Sequence, residues 1–523
     1  MFSKVLVANR GEIAVRINQT LRAMGIAPVA VYSEPDAGAP HVTTAEQSVA
    51  LSGKTAEETY LSIPRIVQAA LDCGADAIHP GYGFLSENPA FARACREAQI
   101  TFIGPTAESM EALGDKLRSK DIALSAGVPV VPNSPECLPG DAAAEEFVER
   151  WGFPLLVKAA AGGGGRGMRQ VNTRSELDGD MESASREAQA AFGDGRVFLE
   201  RYVANPRHVE VQALADGFGH TIHLGERECS IQRRHQKIIE ETPSLALTPE
   251  LRQRICDAAI AVARAAGYVN AGTVEFLLDS RSGEFYFLEM NARLQVEHPV
   301  TEAVLGLDMV EWQLRIASGE ALTLQQEDIQ PRGHAIECRI YAEAPTLTLP
   351  QGERESVWDF VPSTGALLRW RPPSGPGLRL DSGVAQGQEV SIYYDPMLAK
   401  LTAWAPSREL SLRRMEVALS QFQVLGVVTN IPLLRAVVEH PQFQKGEYDT
   451  GFLNSPFPLT GGEGQGEGES RMMARALAAW ASSFGELRTV GPASPQTSVI
   501  PAKAGTHRVG GSPWQSAGEQ RLP

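Results

Sequence analysis

Basic charge is in short supply: 48 Lys and Arg stand against 63 Asp and Glu, a formal net charge of −15 over 523 residues. A nucleic-acid partner needs a basic face, so that class of function is disfavoured. Long apolar runs are also missing. No window offers the roughly 20 apolar residues that a membrane-spanning helix needs. The N-terminus, MFSKVLVANRGEIAVR, is not a secretory leader: no basic segment precedes an apolar one, and Arg10, Glu12 and Arg16 interrupt it. Cysteine is sparse. Cys73, Cys95, Cys137, Cys229, Cys256 and Cys338 are scattered without a CxxC pair, which predicts reduced, buried thiols in a cytoplasmic protein, with neither zinc site nor disulfide framework. Two common nucleotide signatures are absent as well. No glycine run ends in GK[ST], and the first apolar strand leads into Asn9-Arg10-Gly11-Glu12 instead of GxGxxG.

What remains is an ordinary globular composition, 43% hydrophobic and 21% charged, in a chain long enough for about three or four domains. The first 110 or so residues alternate short strands with amphipathic helices. VLVA (5–8) is followed by a helix near 11–24 and PVAVY (28–32). A helix over 61–72 precedes DAIHP (76–80), and another over 89–98 precedes TFIG (101–104). That alternation predicts a parallel sheet covered by helices. Strand patterns dominate 201–330 and recur over 331–455, which closes with helices near 407–420 and 430–440. After Phe457 the chain turns polar and glycine-rich, and from about Leu487 apolar periodicity is lost.

Four segments carry the chemistry. Lys158 precedes a glycine run, Gly162 to Gly165 with Gly167, set between the strand-like pieces LLVKA and MRQV. Such a run lets several backbone N–H groups approach anionic oxygens, as a hairpin lid would. In FYFLEMNARLQVEHPVTE (285–302), Phe285, Phe287, Glu289, Asn291, Arg293, Gln295 and Glu297 share one parity. If extended throughout, this segment presents two aromatics and then an unbroken polar row on one face. With Glu275 in the preceding strand TVEFLLD, Glu289 and Asn291 form a hard-oxygen set suited to Mg²⁺ and nucleotide phosphates, and Arg293 is placed to fork onto an oxyanion. GERECSIQRRHQKIIEETPS (225–244) gathers Arg227, Arg233, Arg234, His235 and Lys237, a cationic pocket for a phosphoryl group. RGHAIECRIYAE (332–343) sets Arg339 in an otherwise apolar strand.

Taken in order, KVLVANRGEIAVR, HPGYGFLSEN, FIGP, KAAAGGGGRGM, ERECSIQRRHQKIIEE, EMNARLQVEHPVTE and ECRIYAE resemble the biotin carboxylase family of ATP-grasp enzymes over about residues 1–455. The resemblance implies an α/β (α+β) fold. A Rossmann-like N-terminal domain (1–113) is expected first, then an ATP-grasp domain (114–330) with a glycine-rich lid at about 131–203, then a C-terminal domain (331–455). Lys116 and Lys158 would contact ATP phosphates, joined by Gly163, Gly164 and Gly165. Glu200 and Val203 would form the adenine hinge, with Arg201 where the family often has Lys; Met168 would lie against the ring, and His208, Gln232 and His235 near the nucleotide. Glu275, Glu289 and Asn291 match Mg²⁺ (or Mn²⁺) ligands. Arg293, Gln295 and Val296 would line the bicarbonate pocket, Glu297 would deprotonate bicarbonate, and Lys237 would support carboxyphosphate. Arg339 would stabilise the biotin enolate, Tyr82 and Gly83 would border biotin, and Asp395 lies towards the same site.

Two departures stand out. PTLTLPQGERESV (345–357) intervenes before WDFVPSTG and is expected to be an inserted surface loop. The segment 456–523 is expected to be a disordered tail with one helix at 472–484. It holds no Met-Lys-Met type motif. The resemblance therefore implies biotin as a substrate on a separate carrier protein, or else an acetyl-/acyl-CoA carboxylase α chain truncated before its biotinyl domain. The implied partners are that carrier and a carboxyltransferase subunit, with a homodimer as the expected assembly. Another carboxyphosphate-forming ATP-grasp ligase, or an inactive binding remnant, are the competing readings.

Overall fold

The computed structural model describes residues 1–160, 168–233, 236–345 and 360–453. The glycine run, Arg234, His235, nearly all of the expected insert and the expected tail with its helix lie outside these residues. The described residues fall in one compact unit, Met1–Leu477.

The N-terminal strands β1 (Lys4–Val7), β2 (Ala27–Tyr32), β3 (Gln47–Ala50), β4 (Ala77–His79) and β5 (Thr101–Phe102) form a sheet in the order β3-β2-β1-β4-β5. All of its pairings are parallel, as the β–α alternation predicts. The helix Gly11–Ala23 buries Ile13, Ile17 and Leu21 at helical spacing. Asn88 caps the helix Pro89–Glu97 by accepting the Phe91 N–H, and Gly74, at φ +65°, ends the helix Ile63–Cys73. The strand order reverses between β1 and β4, so a crevice opens at their carboxyl ends. Asn9 bridges that crevice, its Nδ2 donating to the carbonyls of Pro80 (2.7 Å) and Tyr82 (2.8 Å).

A small antiparallel sheet follows, in the order β6 (Asn133–Glu136), β9 (Val197–Arg201), β7 (Leu155–Ala159) and β8 (Met168–Val171). It has its own core of Leu155, Val157, Leu177, Met181 and Leu199. Strands β7 and β8 pair antiparallel across the glycine run.

The rest is organised by one sheet of eight strands. It runs from β14 (Glu284–Asn291) through β13 (Asn270–Asp279), β10 (Arg207–Ala215), β11 (Thr221–Arg233), β12 (Gln236–Thr242) and β15 (His334–Tyr341) to the strands Met397–Ala405 and Leu378–Ser382. Within 389–405 the chain forms a short strand, Glu389–Val390, and the long Met397–Ala405. Cys73, Cys95, Cys137, Cys229, Cys256 and Cys338 are free and buried. Among the described residues no helix is long and apolar enough to cross a membrane.

The N-terminal region and the large sheet meet at a buried charged junction. Lys400, with no exposed surface, lies 3.7 Å from Glu12 Oε2. It is the cross-strand neighbour of Arg339 on one side and Asp381 on the other. Neither carboxylate oxygen of Glu12 has a hydrogen-bond partner among the described residues. Burial pushes the Glu12 carboxyl up to about 7, against the charges of Lys400, Arg339 and Arg379 and with that of Asp381. Glu337 is pushed to about 7 by the same cause. A raised folded-state proton affinity contributes stability that is fully present below the ordinary carboxylate range and is lost as pH climbs through 7. Glu12→Gln should remove roughly 3 kcal/mol of the stability lost by the wild type between about pH 5 and pH 8. Melting temperatures across that range test this; equal slopes for the two proteins would refute it.

Candidate active site

The site forms where β10 to β14 of the large sheet meet β15. Antiparallel pairing sets Glu275 of β13 opposite Glu289 of β14 and Glu210 of β10 opposite both Glu275 and Arg227. Alternation along these strands turns the charged side chains to one face. The expected unbroken row over 285–297 is corrected in two places. A register shift places Phe287 opposite Phe276 but Glu289 opposite Glu275, so Leu288 is an extra residue and the parity breaks there. The strand then ends at Asn291, and residues 292–297 turn into the helix His298–Leu305. Glu289, Asn291, Arg293, Gln295 and Glu297 still converge, by a bulge and a turn instead of by alternation.

Glu297 has no exposed surface. Its Oε1 accepts from Lys237 Nζ at 2.7 Å and its Oε2 from Arg339 Nη2 at 3.0 Å. Burial pushes its carboxyl up, but Lys237, Arg339 and Arg227 outweigh that and hold it well below the usual carboxylate range. Lys237 also donates to Glu210 (2.5 Å) and Glu275 (3.0 Å). Arg227, buried completely, backs Glu210 at 2.5 Å and reaches Gln212, Thr273 and Thr301. Arg339 is shared: its Nε donates to Glu240 at 2.6 Å. Burial pushes the Glu240 carboxyl up to about 8, and its Oε2 has no hydrogen-bond partner among the described residues.

Glu275 is the hub on the other side. It accepts from Asn291 Nδ2 (2.8 Å) and Gln295 Nε2 (3.2 Å), and His208 Nε2 lies 2.8 Å from its second oxygen. The His208 ring is held by Gln232 at 2.7 Å. Burial pushes the carboxyl of Glu289 up, and the neighbouring Glu275 adds to it. A buried carboxylate, Glu275, facing a half-buried one, Glu289, with an adjacent amide is a donor set that fits a hard divalent cation. Asn291 now offers its nitrogen to Glu275 and its oxygen to Arg293 (3.1 Å), so ligation by its oxygen needs the amide turned over. Arg293 further donates to Gln295 Oε1 (2.8 Å) and Glu87 Oε2 (2.9 Å).

The residues expected on the nucleotide side lie at or near the small sheet. Glu200, buried completely, accepts from both Lys158 and Lys120. Burial lowers the proton affinity of Lys116, which faces Glu289. Met168 opens β8 directly opposite Lys158, and Val203 lies buried just past β9. On the N-terminal side, Tyr82 and Gly83 follow β4, with Gly83 at φ +70°. The Tyr82 ring sits 5.5 Å from Lys400 Nζ. Asp395, exposed on the surface, accepts from the Met397 N–H. Gly163, Gly164, Gly165 and His235 lie outside the described residues.

Several residues that hold this arrangement were not singled out from the sequence. Glu87 fixes Arg293 and the Ala292 N–H, and it sits inside the phrase HPGYGFLSEN. Glu210 and Glu240 each hold one cation that contacts Glu297. Lys120 is the second partner of Glu200. A carboxylate inside an otherwise apolar strand, as in HVEVQAL and KIIEET, is the signal that could have found Glu210 and Glu240.

Comparison with known proteins supplies the family. Residues 1–110 match the model for the biotin carboxylase N-terminal domain and residues 337–455 that for the biotin carboxylase C-terminal domain. Residues 115–325 match the ATP-binding domain of the carbamoyl-phosphate synthase L chain. Biotin carboxylase 1 of Bacillus subtilis is 45% identical over 455 residues, covering 87% of this chain and 99% of that one. The mitochondrial methylcrotonoyl-CoA carboxylase subunit alpha of Dictyostelium discoideum is 48% identical over 458 residues; the match covers 86% of this chain but only 63% of the longer relative. Among solved structures, the biotin carboxylase domain dimer of Hydrogenobacter thermophilus 2-oxoglutarate carboxylase, in complex with MgADP, ADP and bicarbonate, matches with a TM-score of 0.81 and 47% identity, covering 87% of this chain and 97% of that one. With near-complete coverage of the Bacillus and Hydrogenobacter proteins, under two thirds of the Dictyostelium subunit's length, and family models along most of its own length, the chain belongs to the biotin carboxylase family, ATP-grasp ligases that carboxylate biotin at the expense of ATP.

Proposed function

We propose that this chain carboxylates biotin carried on a separate carrier protein, using bicarbonate and ATP by way of carboxyphosphate, and that a carboxyltransferase subunit then uses the carboxybiotin. The observation that carries the reading is the Glu297 carboxylate, fully buried and clamped between Lys237 and Arg339. A dehydrated carboxylate between two cations, beside a hard-oxygen cation set and a phosphate-side lysine cluster, suits a reaction that activates a weak oxygen nucleophile for attack on phosphorus.

In this reading bicarbonate lies against Arg293, Gln295 and the Val296 backbone, and Glu297 takes its proton. The freed oxygen bonds to the γ-phosphorus of ATP as the bond to ADP breaks. Lys237 stabilises the phosphoryl oxygens, and Lys116 and Lys158 hold the nucleotide phosphates. A divalent cation held by Glu275, Glu289 and Asn291 would supply charge neutralisation on those phosphates. Carboxyphosphate separates into CO₂ and phosphate; the phosphate accepts the proton from biotin N1, and that nitrogen bonds to CO₂. Arg339 faces the enolate oxygen of biotin as charge develops there. Arg339 is shared between Glu240 and Glu297 in the resting site. Turning it towards biotin withdraws a cation from Glu297 and raises that carboxylate's proton affinity, which suits it to act as a base.

Bicarbonate-dependent ATP hydrolysis, measured with and without free biotin, tests this. The wild type should turn over and respond to biotin; a chain with no biotin-dependent turnover overturns the proposal. Glu297→Gln should lose about 10²- to 10⁴-fold in rate. Arg339→Ala should lose about 10²-fold in the biotin-dependent rate. Glu289→Gln should raise the Mg²⁺ concentration for half-maximal activity at least about tenfold, and an unchanged Mg²⁺ requirement would remove Glu289 from the ligand set.

A further inference from the structure

Lys400 occupies the middle of MLAKLTAWA, an otherwise apolar stretch, and is wholly buried. Lysine is rarely interred completely, because its charge must be stripped of water. Its described partners come from the N-terminal region and from the turn that precedes the helix His298–Leu305. Nζ donates to the carbonyl of Val296 at 2.7 Å. Glu12 Oε2, on the first helix after β1, is 3.7 Å away. The ring of Tyr82, on the loop after β4, has its centroid 5.5 Å away, within reach of a cation–π contact. Lys400 itself extends from the strand that pairs with β15, directly across from Arg339.

Val296 is the residue before Glu297, in the turn that opens the helix His298–Leu305. That turn is held by its carbonyls: Gln295 O accepts from His298 Nδ1 at 2.8 Å, and Val296 O accepts from Lys400. With its backbone fixed from one side, Glu297 presents its carboxylate on the other, to Lys237 and Arg339. Lys400 therefore touches the backbone of the bicarbonate-side turn and faces the aromatic wall expected to border biotin.

We propose that Lys400 is a positioning residue that fixes the bicarbonate-side turn at Val296 and the biotin-side ring of Tyr82 to each other through one buried ammonium. The assignment rests on the carboxylase reading above and adds a residue to it.

Lys400→Met keeps the length of the side chain while removing its charge and donor. It should raise the KM for bicarbonate and for free biotin at least about tenfold each, through loss of a charge-assisted hydrogen bond and of orientation, and leave the KM for MgATP unchanged. Because Lys400→Met strands the carboxylate of Glu12, the double variant Glu12→Gln with Lys400→Met is needed beside it. That protein should recover the wild-type melting temperature but keep both raised KM values. Recovery of all three together would show that Lys400 serves stability alone and would overturn the assignment. So would wild-type bicarbonate and biotin KM values in either variant. A wild-type chain without bicarbonate-dependent turnover would instead overturn the carboxylase reading, and this assignment with it.

Discussion

The pairing of β12 with β15 is the constraint on which the rest depends. Four residue pairs, from Ile239↔Cys338 to Thr242↔Ala335, join the strands of the ATP-binding region to those of the C-terminal region as one sheet. Without that seam Lys237 and Arg339 would belong to separate bodies. With it, the two cations approach one carboxylate, Glu297, within 3.0 Å. The seam is locked at its far end. Glu241, next to Glu240 on β12, accepts from His334 (2.6 Å), from Arg408 and from the hydroxyl of Tyr448. Burial alone would push the Glu241 carboxyl up, but those donors hold it down to about 2. It therefore remains charged, and the lock closed, through the whole neutral range.

Burying this many charges is costly, and the cost explains the layout. Carboxylates Glu210, Glu240, Glu275 and Glu297 are all buried, and each is held by at least one of Arg227, Lys237, Arg339 and His208. A lattice of that kind satisfies its own members when substrates are away. In the proposed reading an entering anion competes for Lys237, Arg293 and Arg339, and an entering cation for Glu275 and Glu289, so donors and charges are aimed before the reactants arrive.

How much of this was legible in the sequence follows from range. The parallel N-terminal sheet was legible because each strand and its covering helix are local, and their apolar periods change from two to helical spacing within a few residues. That Glu275, Glu289 and Asn291 lie together was legible because their oxygen chemistry is unusual for strands. The bulge at Leu288 was not, because it is set by pairing with Phe276 and Glu275 on another strand. Glu87 lies 206 residues from its partner Arg293, and Lys400 lies 104 residues from Val296. A charge in an apolar strand signals that a partner exists. It does not say which one, and only the sheet order does.

The insertion noted in the sequence illustrates how the fold shields such contacts. Its flanks are not loose: Glu343 to Pro345 pair with Phe360 to Pro362 as an antiparallel stem, and Pro345 belongs to that stem instead of to the loop. Arg233, at the end of β11, forks onto both oxygens of Glu343 at 2.6 Å and stacks over Phe360. The strand that carries Arg339 keeps its register through Asn430, which accepts the Tyr341 N–H and donates to the Arg339 carbonyl. The same clamp reaches the large sheet: Arg233 is the last residue of β11 and pairs with Gln236 of β12, so the stem and the β11–β12 pair share one anchor.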